Sequence, residues 1–167
     1  MPNAVAIERF FEMPHRYTFQ MPKLRAWVES KLEGRTLNIF GGITRLIHPQ
    51  GHEIVHNDIR PEMYPDVSID AYDIDAITAL GRFQTVVFDP PYSAYQAVHS
   101  YGGVKMQEVS RARQGIQRVL DLEGVVISLG WNSTGMGEKR GYAKEAILLV
   151  NSGGSHNDII ITVERRT

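Results

Sequence analysis

Asp89-Pro90-Pro91-Tyr92 follows the apolar run Phe83-Gln84-Thr85-Val86-Val87-Phe88, so an acid, two imino acids and an aromatic ring stand where a buried strand stops. In an open parallel sheet, ligands gather at the carboxyl ends of the strands. The chemistry these four residues suit is activation of an aromatic amine. Such a nitrogen is a poor nucleophile while its lone pair is delocalised into the ring, and acceptors that grip its hydrogens favour the pyramidal, reactive form. A carboxylate only accepts, so Asp89 can take one amino hydrogen and the carbonyl of Pro90 the other. The two prolines bring no competing N–H and hold the turn stiff. Tyr92 can stack on a base, a contact worth about 1 to 3 kcal/mol. A plain strand-ending turn would use the same residue types.

Two further groups sit at matching places upstream. Leu37-Asn38-Ile39-Phe40-Gly41-Gly42-Ile43-Thr44 runs from an apolar segment into two glycines, and His56-Asn57-Asp58 ends the next such segment. With Asp89-Pro90-Pro91-Tyr92, these residues resemble the class I S-adenosylmethionine-dependent amino-methyltransferases. That group includes the N6-adenine and N4-cytosine DNA enzymes and some RNA enzymes, and its catalytic motif reads Asp/Asn/Ser-Pro-Pro-Tyr/Phe. Asp at the first position is more like the adenine enzymes.

The resemblance implies that Asn38, Phe40, Gly41, Gly42 and Thr44 form the cofactor loop, with Thr44 standing where the family has a second glycine. It implies that Asp58, or else Asn57, holds the ribose hydroxyls, and that Asp73 with Ile74 receives the adenine; Asp73 is equally suited to cap a helix. Gln20 or Lys23 could reach the cofactor's carboxylate, or simply open a helix. Catalysis falls to Asp89, Pro90, Pro91 and Tyr92, and substrate contact to Tyr92, Tyr95, Lys105, Trp131 and Asn132. Trp131 could instead close over the core. S-adenosyl-L-methionine is the implied cofactor, S-adenosyl-L-homocysteine its product, and no metal is needed because the leaving sulfur departs neutral.

The implied reaction is methylation of an exocyclic amino group of a nucleobase, with adenine N6 in DNA as the leading acceptor. Adenine N6 or guanine N2 in RNA is the alternative, and a non-catalytic methyltransferase-like binding subunit is a second. No insert stands out as a recognition domain, so target recognition would use short loops, a homodimer or an accessory subunit. Residues 93–105, with Tyr95, His99, Tyr101, Gly102, Gly103 and Lys105, suit a lid over the substrate.

The elements that must carry these groups follow from hydrophobic periodicity. Short apolar runs at 36–40, 53–57, 67–71, 85–88, 124–129, 146–150 and 158–163 alternate with helix-like segments. This predicts an α/β, Rossmann-like methyltransferase fold with a mostly parallel seven-stranded sheet. The spacer Asn151 to Asn157 is too short for a helical crossover, so the last two strands form an antiparallel hairpin. Helices are expected at 22–32, opened by Pro22, and at about 106–122, where Val109, Ile116, Val119 and Leu120 share a face. Prolines 49, 61 and 65 compress the other crossovers. The 167 residues make one domain, with 1–16 as an N-terminal extension.

The net charge of −1 gives no general attraction to a polyanion, so nucleic acid would need a local strip. Lys105, Arg111, Arg113 and Arg118 form one candidate strip, and Lys139, Arg140 and Lys144 another; solvated surface explains either equally. The absence of cysteine excludes disulfides, thiolate metal sites and thiol nucleophiles, including the route to cytosine C5 methylation. His48, His52 and His56 recur every four residues, but Pro49 and Gly51 break the helix that would align them on a metal. No apolar run is long enough to span a bilayer, and a soluble cytoplasmic protein without membrane contact is expected.

Overall fold

A computed structural model describes residues 4–92 and 109–167. Its sheet has seven strands among the described residues: β1 (Ala6–Phe11), β2 (Thr36–Asn38), β3 (Ile54–His56), β4 (Phe83–Phe88), β5 (Leu120–Gly130), β6 (Tyr142–Asn151) and β7 (Ile159–Arg166). Their order is β1-β6-β7-β5-β4-β2-β3. Every pair is parallel except β5–β7 and β6–β7, which run antiparallel. The expected parallel sheet with a terminal hairpin is therefore present, and the hairpin's second strand is inserted between β6 and β5.

Two strands differ from the expectation. Residues 67–71 form no strand; a single bridge joins Val67 to Asn57. The Asn57 side chain does the pairing instead. Its Nδ2 donates to the carbonyls of Ile39 and Ile69 at 3.0 Å each, and its Oδ1 accepts the Ile69 N–H at 2.9 Å. One buried amide thus satisfies backbone groups that a ladder would otherwise serve. The seventh strand comes from the stretch read as an extension: β1 joins the free edge of β6 in parallel register, Ala6 opposite Ala146 through Phe11 opposite Asn151.

Helix α1 (Pro22–Glu29) begins at the expected proline. Its first free N–H groups, on Lys23 and Leu24, are taken by the buried carboxylate of Glu12 at 2.8 Å each, so the chain just past β1 caps the helix. Helix α2 (Ile74–Thr78) is short and capped by Asp73, whose Oδ1 accepts the Ala76 N–H at 3.1 Å. Helix α3 (Val109–Val119) buries Val109, Ala112, Gly115, Ile116 and Val119. It stops at Val119 and not at 122, because Leu120 already pairs with Phe83 as the first residue of β5. Gly115 faces α2, where a Cβ would lie in ordinary contact distance, 3.7 Å, from Ile77.

The sheet is covered on both faces. Leu37, Val86, Phe88 and Val126 pack against α2 and α3 through Ile77, Ala112 and Ile116. Val87, Ile127, Leu148 and Ile161 pack against α1 through Leu24 and Val28, with Phe19 and Met21 from the preceding turn. Removing such surface from water stabilises the fold by roughly 25 cal/mol per Å². Parallel pairing sets Asn38 of β2 opposite Val87 of β4, so the chain leaving each strand emerges side by side.

Candidate active site

Beyond those adjacent strand ends lies a cavity of about 700 Å³. One wall is the β2 loop from Phe40 to Thr44 and another is Asp89, Pro90 and Tyr92 after β4. Residues 14–19 close it from the side of α1, and Trp131 with residues 154–157 of the β6–β7 turn completes it. Position at the carboxyl edge, between two neighbouring parallel strands, is where this architecture binds its ligands.

Asp89 keeps a partly exposed face on the cavity while protein atoms surround its carboxyl. Burial pushes its pKa up from 3.8 to about 6, against the opposing pull of hydrogen bonds from the Tyr92 and Thr18 side chains. The Tyr92 hydroxyl donates to Asp89 Oδ1, and its ring meets Trp131 edge-on with centroids 5.8 Å apart. Tyr92 is therefore a tethered side wall, and the orientation in which it would offer a face to a base is fixed by two partners. Trp131 lines the cavity at 39% exposure, so it is not a cap on the core.

On the opposite wall, Gly42 has φ +59°, the left-handed region that favours glycine, and a Cβ built there meets no atom within 4 Å. The backbone at Gly42 thus borders open space, the property a cofactor loop needs. Gly41 is tight for a different reason: its N–H donates to the Asn57 carbonyl at 2.6 Å, and a Cβ would lie 3.1 Å from that oxygen. Phe40 packs on Phe88 and Tyr72 with centroids 5.9 Å away from each, and its other side meets the cavity. Thr44 is buried, and its hydroxyl accepts from Gln20 Nε2 at 3.1 Å, which joins the loop to the segment before α1.

Asp58 is buried and fully engaged. Oδ2 accepts the Gly42 N–H at 3.0 Å and Arg60 Nη2 at 3.1 Å, and Oδ1 accepts the Arg60 N–H at 2.9 Å and Nε at 3.0 Å. A small cavity of about 30 Å³ lies behind Phe40, walled by Asp58, Ile59, Asp70, Ala71, Tyr72 and Pro91.

Several candidates stand elsewhere. Asn38 is fully buried within the sheet, lines neither cavity, and neither atom of its amide has a hydrogen-bond partner. Asp73 and Ile74 also lie outside both cavities, the acid being spent on the α2 cap, while Asp70 and Tyr72 line the small one. Asn132 is exposed, and its Oδ1 accepts the Thr134 N–H at 2.9 Å. Lys23 Nζ donates to the Phe11 carbonyl at 3.3 Å. Tyr95, Lys105 and the rest of the expected lid lie outside the described residues. Sequence reasoning gave no separate role to Thr18, or to His15, Arg16 and the 154–157 turn; the weak aromatic and polar run at 17–20 was the only pointer to them.

Among the described residues, no member of either expected basic strip lines the cavity. Arg118 reaches Asp75 at 3.5 Å, Arg140 donates to the Met136 carbonyl at 3.0 Å and Lys144 to the Ser133 carbonyl at 2.7 Å. Arg113 is half-buried over the Phe88 ring, where desolvation lowers its pKa. Among the described residues, no group of three or more His, Asp or Glu side chains could hold a metal ion, and no helix is long and apolar enough to cross a membrane.

The fold has counterparts in solved structures. The N-methyltransferase NodS from Bradyrhizobium japonicum WM9, in complex with S-adenosyl-L-homocysteine, superimposes with a TM-score of 0.60 over 86% of this chain and 83% of that one, at 11% identity. The chain has a Rossmann-like methyltransferase fold. A precorrin-6y C5,15-methyltransferase from Geobacter metallireducens GS-15 matches this fold at TM-score 0.62 and 16% identity, over 92% of this chain and 93% of its own. An rRNA methylase from Streptococcus thermophilus matches at TM-score 0.56 and 9% identity, over 92% of this chain and 100% of its own. Other matches are longer proteins, of which the chain spans about half. No family model matches the sequence, and no curated protein matches it.

Proposed function

We propose that the chain is an S-adenosylmethionine-dependent methyltransferase whose acceptor is the exocyclic amino nitrogen of a nucleobase. The observation that carries this reading is Asp89: a carboxyl held up to about 6, on the wall of a cavity that the glycine-bearing β2 loop faces from the other side. The residues present fit the cofactor. Gly42 offers backbone with no side chain in the way, on the wall of a cavity of about 700 Å³. Asp58 would hold the ribose hydroxyls once the Arg60 guanidinium turns aside, since that side chain now fills much of its accepting capacity. Bound there, the sulfonium supplies an electrophilic methyl group and leaves as a neutral thioether.

Asp89 and the Pro90 carbonyl accept the two amino hydrogens and turn the nitrogen lone pair toward the methyl carbon. With the amine held this way, the proton released from the nitrogen on methyl transfer would pass to Asp89. A pKa of about 6 leaves most of that carboxyl ionised at neutral pH yet able to take the proton. Thr18 and Tyr92 fix the carboxylate's orientation, so orientation need not be found at each turnover.

Of the two nucleic acids, RNA is favoured over the DNA adenine suggested by the motif, because the similar rRNA methylase is covered over its whole length. A free amine-bearing molecule is the second reading, favoured by the spending of Arg118, Arg140 and Lys144 on partners within the fold. A tritiated-methyl assay over RNA, DNA and small amines, with digestion to nucleosides, separates these. Asp89→Asn is expected to abolish transfer while S-adenosylhomocysteine still binds in calorimetry; full transfer by that variant overturns the assignment.

A further inference from the structure

The mouth of the large cavity has a charge pattern that the amine chemistry does not use. Residues 14–17 and 154–157 face one another across it and bring Arg16, His15 and His156, together with the polar side chains Ser155 and Asn157. Arg16 has no ion pair among the described residues; its guanidinium lies over the Tyr17 ring, 5.5 Å from the centroid, and stays exposed. His15 is exposed and anchored through Nδ1, which lies 3.1 Å from the Tyr17 nitrogen and 3.2 Å from its carbonyl oxygen, and no contact among the described residues engages Nε2. Arg60 also lines the cavity, but Asp58 engages it. Among the described residues, the only carboxylate on the lining is Asp89, beside the strand end.

We propose that this rim binds a phosphate group of the methyl acceptor, with Arg16 as its principal partner and His15 and His156 as flanking donors. The inference rests on the methyltransferase reading and adds a second point of recognition to it: the base amine at Asp89, the phosphate at Arg16. A guanidinium suits a phosphate because its fork of donors matches two oxygens at once. The phosphate belongs either to an RNA strand or to a free nucleotide. A single unpaired arginine per site favours one local contact over an extended track along a backbone.

The test measures binding to the full chain with S-adenosylhomocysteine already bound, using the four nucleosides, their 5′-monophosphates and a short oligoribonucleotide. At least one monophosphate or the oligonucleotide should bind roughly tenfold more tightly than the matching nucleoside. Arg16→Gln should erase that difference and leave S-adenosylhomocysteine affinity unchanged. Tight binding by the oligonucleotide alone assigns the phosphate to a strand; equal binding by a monophosphate assigns it to a free nucleotide. Equal affinity for nucleoside and phosphate forms overturns the proposal, as does failure of every probe to bind. A loss of S-adenosylhomocysteine affinity in Arg16→Gln also overturns it, because the arginine then serves the cofactor's carboxylate. If S-adenosylhomocysteine does not bind the unaltered chain, the methyltransferase reading itself falls.

Discussion

Replacing Asp89 by asparagine should make the protein more stable while it stops working. Burial raises the carboxyl from 3.8 to about 6, a difference of about 2 units, and each unit corresponds to about 1.4 kcal/mol between the two protonation states. Holding Asp89 ionised therefore costs the fold about 3 kcal/mol at pH 8. Asparagine removes the charge and can still accept from Tyr92 and Thr18. The folded chain keeps its proton up to about pH 6 and the unfolded chain releases it near 3.8, so between those values the folded state binds the extra proton and stability falls as pH rises. The variant does not titrate there. Its advantage should be near zero at about pH 3.5, grow through the window and level off above about pH 7. Urea unfolding of both proteins from pH 4 to 8 reads the difference directly, and groups that titrate alike in both cancel. At pH 8 the gain corresponds to a rise in Tm of at most about 6 to 12 °C for a chain of this size. An advantage independent of pH, or a less stable variant at pH 8, would refute the view that Asp89 is a desolvated carboxylate poised at the cavity.

Other residues give independent checks. Activity of the unaltered protein should fall tenfold per unit below about pH 6, as Asp89 gains its proton; a flat profile to pH 5 counts against its role. Gly42→Ala should lose about 1 to 2 kcal/mol in denaturant titrations through its positive φ alone and weaken S-adenosylhomocysteine binding several-fold, because the new methyl group borders the cavity. Asn57→Ala strips partners from Ile39 and Ile69 and should cost about 3 kcal/mol or more by the same measurement. Glu164 is buried and accepts the N–H groups of Met136 at 2.6 Å and Gly137 at 3.1 Å, which pins the loop after Trp131. Glu164→Ala should therefore cost about 2 to 4 kcal/mol and shift Trp131 fluorescence to the red when Trp27 is replaced by phenylalanine.

The parts of the molecule that were legible in the sequence are those governed by local signals. An apolar run ending in Asp-Pro-Pro, a proline opening α1 and a spacer too short for a helix each dictate structure over a few residues. What escaped depends on distant partners. β1 has few buried side chains to give it a pattern, so nothing along Ala6–Phe11 announces a strand; only the free edge of β6 makes it one. At 67–71 the apolar residues look like a strand, yet the side chain of Asn57, next to them at the end of β3, supplies the pairing. The site divides in the same way. Asp89, Gly42 and Trp131 border the cavity as their strand-end positions suggested, whereas Asp73 went to a helix cap and Asn38 to the interior. An acid beside a helix start serves either purpose, and spacing alone does not choose.

Glu12 gives residues 4–12 a meaning that their sparse burial hides. The same short stretch zips onto the far edge of the sheet and then plugs the start of α1, two residues before the segment that ends in Thr18 beside Asp89. The opening strand thus works as a buckle: it is fastened at the rim of the molecule, and what it keeps taut is the cavity wall. Loosening at that rim would be felt first at Thr18, the neighbour of Asp89, before it reached the central strands.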